Sequence, residues 1–356
     1  MQKMRLKFFI FLVTVITLGT SLSPSISQAK NYLSGEILQQ QSDENDRVFY
    51  QTRLEDGNLI DLDSYGEELK IGDKVYVEIL DDGYNFLTVK RSFATIILFI
   101  IFVVGIIWLA KKKGVRALVS LGISMLLLLG VFIPLLLKGL PPMPTSIVFG
   151  ILVLALGIFV THGFTRQSLV SFLGSLASIG VAVLMVEFVV TSTSLSGLIN
   201  DSIQFLGIES SENLDLVRIV TASIVIGILG VLDDITVTQV AVVRELSSDS
   251  NLSKKDIFKK AVAVGQDHIA SLVNTIVFAY VGASLPMIMF ITLIEIPAVV
   301  LINQEFVFME IVRSLVGATA LTLAVPITTY LAVYLFLPSI KKDALGIESA
   351  CAHHHH

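Results

Sequence analysis

Eighteen consecutive residues, Phe93 to Ala110, carry no ionisable side chain, and residues 117–137 carry none either. An α-helix of roughly 20 apolar residues crosses the ~30 Å hydrocarbon core of a bilayer, whereas helices of soluble proteins average about three turns. Runs of this length fit a soluble core badly and a membrane well. Composition agrees: 54% of the residues are hydrophobic and 15% charged, against about a quarter charged in soluble domains. Candidate spans are Phe93–Ala110, Val115–Leu137, Thr145–Thr161, Leu169–Val190, Leu216–Val243, Ala261–Val281, Pro286–Ile302 and Glu310–Phe336. The expected fold class is an α-helical polytopic membrane protein of seven or eight transmembrane helices, with a small N-terminal extracytoplasmic β-barrel-like domain.

Ahead of these spans the chain changes character twice. Lys3, Arg5 and Lys7 precede the apolar Phe8 to Leu18, and Ser27-Gln28-Ala29 follows. This is the layout of a secretory signal cleaved after Ala29, or of an uncleaved signal anchor over 1–29. Residues 30–92 then hold fourteen Asp and Glu against seven Lys and Arg. Runs such as Arg47-Val48-Phe49-Tyr50-Gln51-Thr52 and Lys74-Val75-Tyr76-Val77-Glu78-Ile79 alternate β-branched or aromatic residues with polar ones. Between them stand the turn signals Glu55-Asp56-Gly57-Asn58, Ile71-Gly72-Asp73 and Asp81-Asp82-Gly83. About five short strands are expected, in a small barrel or meander of OB or SH3-like kind. The segment holds no nucleophile set, metal cluster or basic groove, so it reads as a packing or interaction module. The helical domain is expected over 93–338 and a tail over 339–356.

Charge sets the orientation. Lys111-Lys112-Lys113 with Arg116 belong in the cytoplasm by the positive-inside bias, one span after an external β domain. Alternation then places Arg166 and the Arg244–Lys260 stretch inside, and the acidic 200–215 loop outside. Eight spans would leave Lys341 and Lys342 outside. Seven keep them inside, with the short Pro286–Ile302, which contains Glu295 and Pro297, as a re-entrant hairpin. Gly174, Ala177 and Gly180 on one helix, and Gly227 and Gly230 on another, are expected to let helices approach closely. The single cysteine, Cys351, excludes an internal disulfide. With His353 to His356 it reads as a terminal tail rather than a metal site.

The informative residues are polar ones inside apolar runs. Asp233 and Asp234 sit well within Ile226-Gly227-Ile228-Leu229-Gly230-Val231-Leu232-Asp233-Asp234-Ile235-Thr236-Val237-Thr238-Gln239. A charge at bilayer depth costs at least ~2.5–3.5 kcal/mol, so such residues face a cavity or a partner and are functional hypotheses by default. On a helix the two carboxylates point about 100° apart, and Thr236 and Thr238 extend each polar stripe. The next helix places Asp267, Ser271, Asn274 and Thr275 on one face at i, i+4, i+7 and i+8, with His268 beside Asp267. Consecutive helices are usually neighbours, so the two stripes are expected to meet, in the manner of carboxylate and imidazole relays. The plainer alternatives are a hydrogen-bonded knot locking two helices and, for His268, a helix-end position near the cytoplasmic surface. Glu187 reads as interfacial, Glu310 and Arg313 as a pair at i, i+3, and His162 as solvated. The chain has no phosphate loop, HExxH or Ser/His/Asp arrangement, which argues against ATP-driven transport by this chain alone and against a standard hydrolase.

Gly230-Val231-Leu232-Asp233-Asp234-Ile235-Thr236-Val237-Thr238-Gln239, Asp267-His268-Ile269-Ala270-Ser271 through Asn274-Thr275, and Glu310-Ile311-Val312-Arg313-Ser314-Leu315-Val316-Gly317 resemble signature segments of the YibE/F family of bacterial membrane proteins. The resemblance runs from the β domain through the last helix and implies a membrane location without a mechanism. The helix with mid-span Asp residues, ending in Val243-Arg244-Glu245-Leu246 and followed by a charged stretch and a second polar helix, also resembles the SecD/SecF and resistance-nodulation-division pattern. In those families proton flow through such an Asp drives work by an external domain. The external domain here is far smaller, which argues against a large-substrate pump.

Together these readings lead to a proton- or cation-coupled transporter or translocation accessory, not an enzyme, using no cofactor. In it Asp233, Asp234, Asp267 and His268 relay charge, and Thr236, Thr238, Gln239, Ser271, Asn274 and Thr275 line the path. The alternative is a membrane scaffold or sensor whose β domain binds an envelope partner. Expected partners are the lipid bilayer, an envelope protein or a small-molecule or ion substrate, and a second copy of the chain, with no role for nucleic acid.

Overall fold

The structure, a computed structural model, describes residues 32–336 except 43–47, 65, 81–82, 200, 210–213, 250 and 294–295. The expected signal segment, Glu295 and the tail carrying Cys351 and the histidines lie outside the described residues. The chain divides into two compact units between residues 115 and 116.

The first unit opens with five antiparallel strands, β1 (Tyr32–Ser42), β2 (Val48–Leu54), β3 (Leu59–Asp63), β4 (Lys74–Leu80) and β5 (Gly83–Val89). Their order is β3-β2-β1-β4-β5, and edge strands β3 and β5 also contact one another, which curls the sheet into a half-barrel. Alternation in the sequence decides the inner face. Tyr50, Thr52 and Leu54 of β2, with Val75 and Val77 of β4, turn inward onto Ile37, Leu62, Leu69 and Phe86. Tyr50 keeps its hydroxyl partnered there, accepting the Leu69 backbone N–H at 3.2 Å. Two of the turn signals hold a glycine in the left-handed region, Gly57 at φ 90° and Gly72 at φ 93°. Gly35 is glycine for a different reason: a Cβ there would lie 2.7 Å from Thr52 Cγ2 on the neighbouring strand.

Helix α1 (Ser92–Leu127) follows, interrupted at Lys111, whose φ of 48° lies outside the helical region. Its helical run continues through a π turn at Leu128–Phe132 and α2 (Ile133–Leu137), so that Ser92–Leu137 totals 46 residues. The spans expected at Phe93–Ala110 and Val115–Leu137 thus occur as two helical segments that meet at the non-helical Lys111. Gly114 follows the break where a Cβ would come within 2.7 Å of the Ile106 carbonyl oxygen.

The second unit continues with α3 (Pro142–His162), α4 (Arg166–Ser192), α5 (Asp201–Glu209), α6 (Leu216–Leu246), α7 (Lys254–Ala283), α8 (Leu285–Leu293), α9 (Ala298–Leu301) and α10 (Glu305–Tyr330), the last running into a π turn at Leu331–Leu335. Side-chain oxygens start three of the long helices: Thr165, Asp215 and Ser253 each accept the backbone N–H three residues on. Six helical stretches are long and apolar enough to cross a membrane: Ser92–Leu137, α3, α4, α6, α7 and Glu305–Leu335. The segment Pro286–Ile302 is not among them, because Pro297 starts a second short helix there instead of extending the first.

Helix α6 runs through the centre of this unit, in contact with α3, α4, α7 and α10. Ile224, Val225, Ile228, Leu229, Leu232 and Ile235 cover it on several sides and are almost fully buried. Glycines on its neighbours receive them, Gly150 against Leu229 and Gly317 against Ile228. The small-residue stripes expected from sequence are partly displaced. Gly174 does meet another helix, at Thr328 of α10, and a Cβ at Gly227 would lie 3.1 Å from the Tyr280 hydroxyl of α7, but Ala177, Gly180 and Gly230 are exposed. Spacing identifies a face; it does not say which neighbour arrives.

Candidate functional site

Asp233 lies 17 residues after Leu216 and 13 before Leu246, the ends of α6. That is about 26 Å and 20 Å from them at 1.5 Å per residue, so the carboxylate is near mid-helix. Its side chain enters a cavity of about 380 Å³ bordered by the 117–128 stretch, α3 and α6. Ser120 and Ser124, buried and one helical turn apart, line one wall, and Gly157 and Thr161 of α3 line another. The remaining lining is mostly apolar, including Leu154, Phe149 and Leu229. Gly157 leaves room for the carboxylate: a Cβ there would sit 2.7 Å from Asp233 Oδ2. The other oxygen, Oδ1, is buried and has no hydrogen-bond partner among the described residues. A buried carboxylate oxygen without a donor is costly.

The neighbouring residues of the same motif go to other places. Asp234 is exposed, on a different side of α6 from Asp233. Thr236 is fully buried against α4, where its hydroxyl bonds Ser175 Oγ at 2.7 Å and Leu232 O at 2.9 Å, while Ser171 Oγ donates to its carbonyl at 3.3 Å. Gln239 is buried between α7 and α10, its Nε2 donating to Ala261 O at 2.8 Å and Thr329 Oγ1 at 2.7 Å. These two side chains, expected to line a path, are instead hydrogen-bonded between helices, whereas the knot that was the plainer reading of Asp233 and Asp234 is not formed by Asp233 Oδ1. Thr238 is half-buried.

The expected meeting of two stripes does not occur. Asp267, Ser271, Asn274 and Thr275 do share one side of α7, but that side is exposed, and His268 beside them is half-buried. α7 turns the opposite side inward, through Ala261, Gly265 and Ile276. Gly265 decides this, since a Cβ there would fall 2.4 Å from Val325 Cγ1 and 2.8 Å from Gln239 Oε1. Backbone that close to α10 fixes which face of α7 looks into the bundle. Asp233 and Asp267 therefore occupy separate surroundings.

Sequence reasoning passed over Ser120, Ser124, Gly157 and Thr161. A serine pair at i, i+4 inside an otherwise apolar run was the available signal. Elsewhere, ion pairs form both within and between helices. Glu310 and Arg313 pair at 2.5 Å as their spacing implied, and Arg313 also lies over the Tyr280 ring. Glu187, expected to be interfacial, pairs with Arg218 beside a cleft of about 540 Å³ that Asp215 and Pro141–Pro144 help line. Glu305 accepts Ser196 N at 2.9 Å, Ser196 Oγ at 2.7 Å and Gly197 N at 2.6 Å, tying the start of α10 to the loop after α4. Among the described residues, no group of three or more His, Cys, Asp and Glu is placed to hold a metal ion.

The sequence model of the family described as YibE/F-like protein matches residues 98–337, about two thirds of the chain. No curated protein and no solved structure matches.

Proposed function

The chain belongs to the YibE/F-like protein family, and from that premise we propose that it is a proton- or cation-coupled membrane transporter or translocation accessory in which Asp233 carries the coupling charge. One observation carries the reading: a mid-helix carboxylate with an unpartnered oxygen facing a cavity that includes two serines and a threonine. A carboxylate at such depth in a membrane helix is costly to retain, and a cavity large enough for several waters gives a cation or proton somewhere to arrive. Asp234, on the exposed side, is a secondary group. The proposed topology has seven crossings, counting Ser92–Leu137 as two that turn at Lys111-Lys112-Lys113 on the cytoplasmic side, with the β domain outside. Contacts within the helical unit support it. Glu305 with Ser196 and Gly197, and Arg218 with Glu187, join helix ends assigned outside, whereas Arg244 with Gln167 joins ends assigned inside.

The test is proton uptake into proteoliposomes under an imposed pH gradient. Asp233→Asn keeps the shape and removes the charge, so flux is expected to fall to background with the protein still folded, while Asp234→Asn retains much of it. The second reading, a scaffold or sensor, draws on the sealed knots at Thr236 and Gln239. It stands if Asp233→Asn lowers thermal stability and leaves flux per folded protein unchanged.

A further inference from the structure

Helix α7 is the least apolar of the six helices able to cross a membrane, yet little of its apolar window is buried within the chain. The helices with comparable or lower polarity elsewhere follow the opposite logic. Ser92–Leu137, whose most apolar window has no buried residue, is the most apolar of the six. On α7 the uncovered side is the polar one. Ala263, Asp267, Ala270 and Asn274 are all exposed, and they recur at steps of four, three and four. That is the 3.5-residue period of a helix–helix seam. Val281 continues it, also exposed.

Lipid offers neither donors nor acceptors to Asp267 and Asn274, so this face needs a cover that does. We propose that the cover is α7 of a second copy of the same chain, the two helices packing in parallel about a two-fold axis along the membrane normal. Copies inserted in the same orientation bring the same residues to the same depth, so Asn274 meets Asn274 and Asp267 meets Asp267. Two carboxylates side by side repel, and that pair holds when the two share one proton. An Asn carboxamide both donates and accepts, so Asn274 can exchange two hydrogen bonds with its counterpart, as a seam Asn does in fixing the register of a parallel pair. Asp267 accepts and Ser271, one turn on, donates, so each carboxylate has the other copy's Ser271 hydroxyl diagonally across. Ala263 and Ala270 are small enough for the backbones to come close. The proposal rests on the membrane reading above and is independent of whether the protein transports anything.

Cysteine cross-linking in native membranes tests it. Cys351→Ser removes the only thiol of the chain. Single cysteines then go in at Ala270 and Asn274, and, as controls, at Leu184 of α4 and Leu315 of α10, both exposed and apolar. Mild oxidation is expected to yield disulfide-linked dimer from Ala270→Cys and Asn274→Cys, roughly tenfold above the controls. Adding Asn274→Leu to Ala270→Cys should lower that yield. The proposal is overturned by dimer from neither seam position or equally from the controls. Rapid capping of Asn274→Cys by a charged, membrane-impermeant thiol reagent also overturns it, because the face would then line water. A disulfide within one chain, between Asn274→Cys and Ile100→Cys, does the same by making the chain's own first helix the cover. Loss of proton flux has no bearing on any of these readouts.

Discussion

Two glycine-to-alanine substitutions of equal chemical size separate a functional carboxylate from a structural contact. At Gly157 the new Cβ would lie 2.7 Å from Asp233 Oδ2 and 3.5 Å from Asp233 Cγ, with no other heavy atom within 4 Å. An ordinary contact needs about 3.4 Å, so the carboxylate oxygen must retreat by about 0.7 Å. It has a cavity of about 380 Å³ to retreat into. The cost is a modest departure from its rotamer, about 0.5–1.5 kcal/mol, offset in part by the gain in helix propensity from Gly to Ala, up to ~1 kcal/mol. Stability should therefore change little. At Gly174 the added Cβ would lie 2.3 Å from Thr328 Oγ1, 3.0 Å from its Cβ and 3.1 Å from its Cγ2. A buried β-branched side chain cannot rotate away from all three, so α4 and α10 must separate, at the ~1–3 kcal/mol typical of overpacking. The assay pairs thermal unfolding in detergent with proton flux in proteoliposomes. Gly157→Ala is expected to hold its melting temperature and lose flux, and Gly174→Ala to lose melting temperature with flux per folded molecule kept. The reverse pattern, or a stability loss at Gly157→Ala matching that at Gly174→Ala, would refute the placement of Asp233 as the coupling group.

Two further substitutions probe the contacts that hold the helices. Gln239→Leu removes both Nε2 bonds and leaves Ala261 O and Thr329 Oγ1 without that donor. It should destabilise by about 1–3 kcal/mol, read by thermal unfolding, without changing flux per folded molecule. Glu305→Gln weakens three bonds to Ser196 and Gly197. Limited proteolysis should then cut residues 193–199 faster than in the parent protein, and equal cutting would show that the loop is held by something else.

How far the sequence reached depends on whether a feature is local. The apolar runs, the strands Val48–Leu54 and Lys74–Leu80, and the turns at Gly57 and Gly72 follow from period and residue type alone. So does the Glu310–Arg313 pair, three residues apart on one helix. The assembly of the site was less legible because it is decided between helices. Period 3.6 put Asp267, Ser271 and Asn274 on one face of α7, but the direction of that face was settled by Gly265 against Val325, a contact 60 residues away in sequence. Likewise Thr236 and Gln239 looked like path-lining groups because they share a motif with Asp233. Residues three and six positions on point elsewhere round the helix, and each met a different neighbour.

This separation round α6 bears on how a charge could act there. Thr236 ties the helix to α4 and Gln239 ties it to α7 and α10, within two turns of Asp233. A carboxylate that binds and releases a cation must keep a fixed position relative to its donors while access to it changes. The knots supply the fixed side. The opposite wall of the cavity is built differently: Gly157 and the serines of 117–128 contribute small groups, and the π turn at Leu128–Phe132 interrupts regular hydrogen bonding directly after them. Interruptions of that kind are frequent at functional sites.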